Sequence, residues 1–398
     1  MKIVKGNITS PKGFKAAGIH CGIKKSGKKD LALIFSEVPA AAAGVFTLNK
    51  IKAAPIIVSM ENIRKGIAQA IIANAGCANA CTGEEGLEDA WNMVKATANS
   101  LNINNKYVLV ASTGSIGTRL PMKTIFNGIR ILSKKLALSG GHEAAEAIMT
   151  TDTRKKEIAV QVKIGGKTVT IAGIAKGAGM IAPNMATMFA FITTDADISA
   201  SMLKKNLLES VERSFNMTVI DKDTSTNDCV FVLANGMAKN AGFNANDEKE
   251  FKSALDHICV YLAKEIARDG EGATKLIEVR VAGARSYKDA KLTAKSVAGS
   301  DLLKSAIFGE DPNFGRIMAA VGYSGADIKQ ELINVFIGNI QVVKNGKAVV
   351  FNQSKAHEYL KAREVLINIM MGQGTSMAVS WGCDLTYNYV KINARYST

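Results

Sequence analysis

The chain reads as a layered α+β protein, on three observations. Residues 157–164 alternate in period two, pass Gly165 and Gly166, and return as KTVTIAGIA, the pattern of an antiparallel hairpin. A second hairpin pattern, NVFIGNIQVVKNGKAVVF, occupies 334–351. Helical stretches at 199–213 and 247–268 stand apart from these strands, so helices and strands segregate instead of alternating, which argues against a doubly wound parallel sheet.

The other elements follow in chain order. LALIFS (31–36) and AQAIIA (68–73) are apolar runs of strand length, and the second runs into the Gly/Asn-rich NAGCANACTG (74–83). Thr82 and Glu85 have capping-box spacing, and Leu87, Trp91, Val94 and Leu101 then recur on one helical face. KYVLVA (106–111) reads as a buried strand that leads through STGSIGTRLP to Pro121, which opens a helix carrying Ile125, Ile129, Leu132 and Leu136. After the first hairpin, KGAGMIAPNMATMFAFITTDA (176–196) sets glycines and Pro183 before a strand that begins near Thr187, and CVFVLA (229–234) is a further strand.

Composition narrows the functional class. A hydrophobic fraction of 47% with 21% charged residues is ordinary for a globular protein. No run of about 18 apolar residues could span a bilayer, so no membrane association is expected. The opening MKIVKGNITSPKGFKAAG has no apolar signal region, which sets the expected compartment as cytoplasmic. Six cysteines without a CxxC pair are expected as free thiols. The four histidines lie far apart, and GHEAAE at His142 lacks the second histidine of a zinc-protease HExxH, so no metal is expected. The net charge of +15 could signal nucleic acid, yet the one dense run, KKSGKK (24–29), has no interleaved aromatics and no recognition motif beside it. It reads as solvated surface, with no nucleic-acid partner.

The chemistry centres on residue 187. A threonine hydroxyl is a poor nucleophile at neutral pH, but a threonine at a chain N-terminus carries its own base, an α-amine with pKa about 7.7–8. Creating that terminus inside a chain requires the hydroxyl to attack the preceding carbonyl, which needs a small preceding residue and a pliable approach. Ala186 and the glycines of KGAGM meet those requirements, although a small residue before a threonine at a strand start also suits plain packing.

KGAGMIAPNMATMFAFITTDA resembles the self-cleavage segment of the ornithine acetyltransferase family, also called glutamate N-acetyltransferases or arginine-biosynthesis bifunctional proteins. The resemblance extends over nearly the whole chain, through GNITSPKGFKAAG, NAGCANACTG, STGSIG, TTDT (150–153), DTSTND (223–228), RDGEGATK (268–275), GEDPNFGR (309–316) and the terminal INARYST. It implies an αββα sandwich, similar in layering to N-terminal-nucleophile hydrolases but differently connected, followed by a smaller α+β C-terminal domain. On that basis residues 1–199 form the main sandwich, 200–280 a small α+β segment completing the site, and 281–398 the C-terminal domain.

The resemblance also implies a cut between Ala186 and Thr187, giving an α chain (1–186) and a β chain (187–398) that stay together as α2β2. Thr187 would take acetyl from N2-acetylornithine and pass it to glutamate, with no cofactor; acetyl-CoA is a further possible donor, and no motif decides whether it is used. The Thr113 hydroxyl and the Gly114 N–H would be the oxyanion donors. Substrate contacts carry over to Thr150, Lys176, Thr187, Glu271, Asn393 and Thr398, and charge logic agrees, since Lys176 can pair a carboxylate and Glu271 an ammonium. Three departures stand out: Ser115 where the family has an apolar residue, Cys77 in a stretch more often Asn-rich, and Phe314 for a tryptophan. Two rival readings remain, a self-processing aminopeptidase or amidase that uses water as acceptor, and a basic binding protein in which residue 187 merely packs.

Overall fold

The computed structural model describes residues 1–181 and 188–394. Ala186 and Thr187 therefore lie outside the described residues, as does Thr398.

Among the described residues, one sheet runs from edge to edge through strands Lys2–Val4, Lys156–Ile164, Lys167–Lys176, Phe189–Thr194, Cys229–Ala234, Leu31–Phe46, Ile67–Cys77 and Val108–Ser115, with Phe14–Ile19 paired to Leu31–Phe46. The strand Leu31–Phe46 is much longer than the apolar run LALIFS suggests. Its register against Ile67–Cys77 shifts between Phe35 and Ala40, where Pro39 can donate no ladder hydrogen bond. Residues before the shift pair with Phe14–Ile19, and residues after it pair with Cys229–Ala234. One bent strand thus belongs to both halves of the sheet, and the halves fold face to face.

Side-chain alternation shows the layers. Ile34, Ile71, Leu109, Ala111, Phe189, Phe191, Phe231 and Leu233 point into one inner core. Their neighbours Leu33, Ile72, Val108 and Val110 face outward, against Val58, Met93, Val94, Ile125, Ile129 and Leu132 from helices Ala54–Asn62, Gly83–Leu101 and Met122–Lys135. On the other side Ala190, Ile192, Val230 and Val232 meet Leu203, Leu207, Leu255, Ile258 and Leu262 from helices Ala200–Glu212 and Ala245–Arg268. The order is helix, sheet, sheet, helix. The Phe189, Phe191 and Phe231 rings stack through the inner core at centroid separations of 5.6 and 5.8 Å. Phe191→Ala is expected to lower the unfolding free energy by about 3–5 kcal/mol, read from the denaturant midpoint, because a fully buried ring leaves a cavity.

A second, seven-stranded sheet is ordered Lys347–Ala348, Ile340–Lys344, Asn334–Ile337, Glu364–Met370, Leu276–Ala284, Ser376–Cys383 and Thr218–Val219, and helix Tyr287–Ala298 packs on it. Phe314, one of the departures from the family pattern, packs edge to face against Phe351 at 6.2 Å. All six cysteines are free. No described helix is long and apolar enough to cross a membrane.

Two local expectations need correction. Thr82 precedes helix Gly83–Leu101, but its hydroxyl caps nothing; it donates to Asn79 Oδ1 at 2.7 Å, while Glu85 pairs with Arg119 at 2.9 Å. A capping box does occur at Asn244 and Asp247, before helix Ala245–Arg268. Nor is the run KKSGKK wholly solvated: Lys24 turns inward and its ammonium donates to the Met149 and Lys29 carbonyls at 2.7 and 2.6 Å. Burial pushes the Lys24 pKa down to about 8.

Candidate active site

The parallel strands Ile67–Cys77 and Val108–Ser115 end side by side, with Gly76 opposite Gly114 and Cys77 opposite Ser115. Gly114 has φ +133°, and a Cβ there would lie 2.3 Å from the Gly76 carbonyl carbon and 2.5 Å from the Cys77 nitrogen. Only glycine lets the two backbones approach this closely. The departures at this point keep partners: Ser115 Oγ donates to the Gly76 carbonyl at 3.1 Å, and Cys77 Sγ contacts the Thr118 carbonyl at 3.0 Å.

Four more segments converge on these strand ends. They are the TTDT stretch, the end of strand Lys167–Lys176 with the glycines after it, the DTSTND loop, and the turn after helix Ala245–Arg268, and helix Tyr387–Ala394 adds Asn393. Together they enclose a cavity of about 320 Å³. Thr113, Gly114, Thr150, Lys176, Glu271 and Asn393 all line it, so every candidate residue within the described part of the chain falls in one place. Ala186, Thr187 and Thr398 are outside the described residues. The described residue that follows Thr187 covalently, Met188, is held by its N–H on Asp228 Oδ1 at 2.8 Å.

Charge in the cavity is arranged around Lys176, which is 2% exposed. Its ammonium donates to Thr113 Oγ1 at 3.4 Å, so the Thr113 hydroxyl can accept from the lysine and still direct its own proton elsewhere. Burial pushes the Lys176 pKa down, while Asp152, Asp228 and Glu271 pull it back up. Burial drives the Asp228 carboxyl well above the usual carboxylate range, against the opposing pull of the Met188 N–H and of Lys176. The second Asp228 oxygen has no partner among the described residues. For Asp152 burial acts in the same upward sense, but the charges of Lys156 and Lys176 and the Gly177 N–H outweigh it and hold the carboxyl well below the ordinary range.

Glu271 reaches the cavity over Gly179, where a Cβ would come within 2.4 Å of its Oε2. Its N–H donates to the Ala178 carbonyl at 2.7 Å and its Oε2 accepts from Asn393 Nδ2 at 2.9 Å. A carboxylate fixed in this way beside a buried ammonium gives one small cavity two opposite charges, the arrangement that fits an amino acid at both of its ends.

The DTSTND motif carries no candidate residue on sequence grounds, yet it belongs to the site. Ser225, Thr226 and Asn227 line the cavity. Asn227 Nδ2 donates to the Ser112 carbonyl at 2.6 Å and its Oδ1 accepts from Ser225 Oγ at 2.6 Å, which ties this loop to the strand carrying Thr113. The density of hydroxyl, amide and carboxyl groups in a segment without turn glycines was the available signal. Outside the lining, Asp221 accepts from the Met180 and Ile181 N–H groups at 2.6 and 2.7 Å and so fixes the segment that carries the lining residue Met180.

Comparison with known proteins agrees over the same span. The model of the ArgJ family matches residues 15–398. The arginine biosynthesis bifunctional protein ArgJ of Caldanaerobacter subterraneus subsp. tengcongensis is 50% identical, with 100% of each chain covered. Its counterpart in Bacillus subtilis (strain 168) is 49% identical over 99% of this chain and 97% of the relative. The crystal structure of arginine biosynthesis bifunctional protein argJ from Bacillus halodurans superposes with a TM-score of 0.50 at 47% identity, covering 51% of this chain and 97% of that one. A match that runs almost end to end at about half identity, over the segments that build the cavity, places this chain in the ArgJ family.

Proposed function

We infer that the protein is a self-cleaving acetyltransferase of arginine biosynthesis, moving acetyl from N2-acetylornithine to glutamate through an ester on Thr187. The observation that carries this reading is the meeting of Thr113, Gly114, Thr150, Lys176, Glu271 and Asn393 in one cavity, with Met188, the residue that follows Thr187, hydrogen-bonded to Asp228, which adjoins the lining residue Asn227. Membership of a family of ornithine acetyltransferases supports it.

In this reading the Thr187 α-amine takes the hydroxyl proton as Oγ attacks the acetyl carbonyl. The Thr113 hydroxyl and the Gly114 N–H stabilise the oxyanion, and Lys176 strengthens the Thr113 donor by hydrogen bonding to its oxygen. The amine then returns the proton to the departing nitrogen, ornithine leaves, and glutamate enters to take the acetyl by the same steps in reverse. Glu271 would accept the substrate ammonium, and Thr150, Asn393 and Thr398 would complete the contacts. Acetyl-CoA is a possible further donor.

Self-cleavage has an indirect support. The Bacillus halodurans chain is matched over 97% of its length by only 51% of this one, so the polypeptide compared in that structure is about half as long. Chains of residues 1–186 and 187–398 fit that proportion; their assembly as α2β2 is part of the same reading. The test is incubation of the purified enzyme with N2-acetylornithine and glutamate, together with N-terminal sequencing. Acetylglutamate and ornithine are expected in equal amounts, faster than free acetate, and one fragment should begin TMFAF. Acetate as the main product would instead make the protein a hydrolase.

A further inference from the structure

Beneath the cavity lies an ion network that the steps above do not use. Lys156 is 1% exposed, and its ammonium donates to Asp152 Oδ1 at 2.7 Å and to Asp269 Oδ2 at 2.5 Å. Both carboxylates are buried as well. Taking three charges out of water costs several kcal/mol per ion, and apolar residues of similar volume would often stabilise a fold as well or better. Stability alone is therefore a poor reason for the network.

Its remaining hydrogen bonds point toward the cavity. Asp152 accepts from the N–H of Thr150 at 2.9 Å and from that of Gly177, the residue after Lys176, at 2.7 Å. Asp269 accepts from the Thr153 N–H at 3.1 Å and from the Thr153 hydroxyl, and it precedes Glu271 by two residues. Three separate segments of the site are thus fastened to one ammonium. We propose that Lys156 is a positioning residue of the acetyl-transfer site, holding Asp152 and Asp269 so that Asp152 faces Lys176 and the Lys176 ammonium stays on Thr113. This rests on the reading of Lys176 and Thr113 as parts of that site.

The charged groups facing Lys176 are Asp152 from the TTDT stretch, Lys156 from the following strand, Asp228 from the DTSTND loop, Glu271 from the turn after the long helix, and Lys24 from the N-terminal region. Lys156 opposes the Lys176 charge and Asp152 favours it. Lys176 is charged below its pKa, so activity that needs the ammonium is lost as pH rises through that value. Removing Asp152's charge lowers the value; without Lys156, Asp152 is no longer held against Lys176 and the value falls as well, whereas loss of the Lys156 charge with Asp152 left in place would raise it.

The experiment measures kcat and KM for N2-acetylornithine against pH in purified, processed Asp152→Asn, Lys156→Met and Lys156→Gln enzymes. The alkaline limb of kcat is expected to move down by about one pH unit in Asp152→Asn and to move down in the Lys156 variants as well. Limbs that stay in place, or a limb that moves up in the Lys156 variants, overturn the proposal: the first is a merely structural role, which would scale activity at every pH alike, and the second a direct charge effect with no hold on Asp152. If both Lys156 variants are insoluble, the Asp152→Asn limb alone decides, by moving down or not. Lys176→Met separates the underlying reading: a wild-type profile in that variant would remove Lys176 from the site, whereas a low, flat profile leaves the Lys156 test to stand on its own.

Discussion

Thr187→Ala should leave the protein as one uncut chain and reduce acetyl transfer by on the order of 10⁴-fold or more, the loss typical of deleting a nucleophile that shares its work with a base. The expected size follows from a double removal. Without the hydroxyl nothing attacks the Ala186 carbonyl, so no α-amine is released; without the α-amine no base remains for the second reaction. Denaturing electrophoresis checks the first effect and the acetylglutamate assay the second. Thr187→Ser is the informative partner, since it retains a hydroxyl and should still cut. An uncut Thr187→Ala protein that transfers acetyl at the wild-type rate would rule out the ester intermediate.

Gly114→Ala carries the next largest effect. The residue sits at φ +133°, and the added methyl would meet backbone atoms of Gly76 and Cys77, which no side-chain rotation can relieve. Strands Ile67–Cys77 and Val108–Ser115 must part at their ends, and the Gly114 N–H moves with them. With the Gly114 N–H acting as an oxyanion donor, as proposed, its displacement is expected to lower kcat by about 10²–10³-fold. Steady-state kinetics should show the loss in kcat, with KM for the donor changing far less. Ser115→Ala is the control: Ser115 lines the same cavity, but its hydroxyl's hydrogen bond among the described residues goes to the Gly76 carbonyl, and the variant should retain activity within about 10-fold.

What was legible in the sequence was whatever has a short-range signature. The hairpin at Lys156–Lys176 shows in period-two alternation around two glycines, and the long helix Ala245–Arg268 in its apolar spacing. Strand Leu31–Phe46 was read as six residues because its apolar run ends at Ser36, and a pattern cannot show that a bulge will carry pairing past Pro39. The candidate residues around the cavity were found because each sits in a recognisable motif. Lys156 sits in none. It looks like any strand-end lysine, and its two partners are 4 and 113 residues away. Lys24 failed to show itself for the same reason, since a lysine that turns inward has the same letter as one that stays in water.

The sheet order has a consequence for a chain cut between Ala186 and Thr187. Strand Lys167–Lys176 would end up on one product and its neighbour Phe189–Thr194 on the other, and likewise Leu31–Phe46 and Cys229–Ala234. The seam between the fragments therefore runs through the interior of a continuous ladder, where six residue pairs join the first two strands and six the second. Such halves are not subunits that meet and part; they are one fold with a nick in it, and separating them amounts to denaturing both.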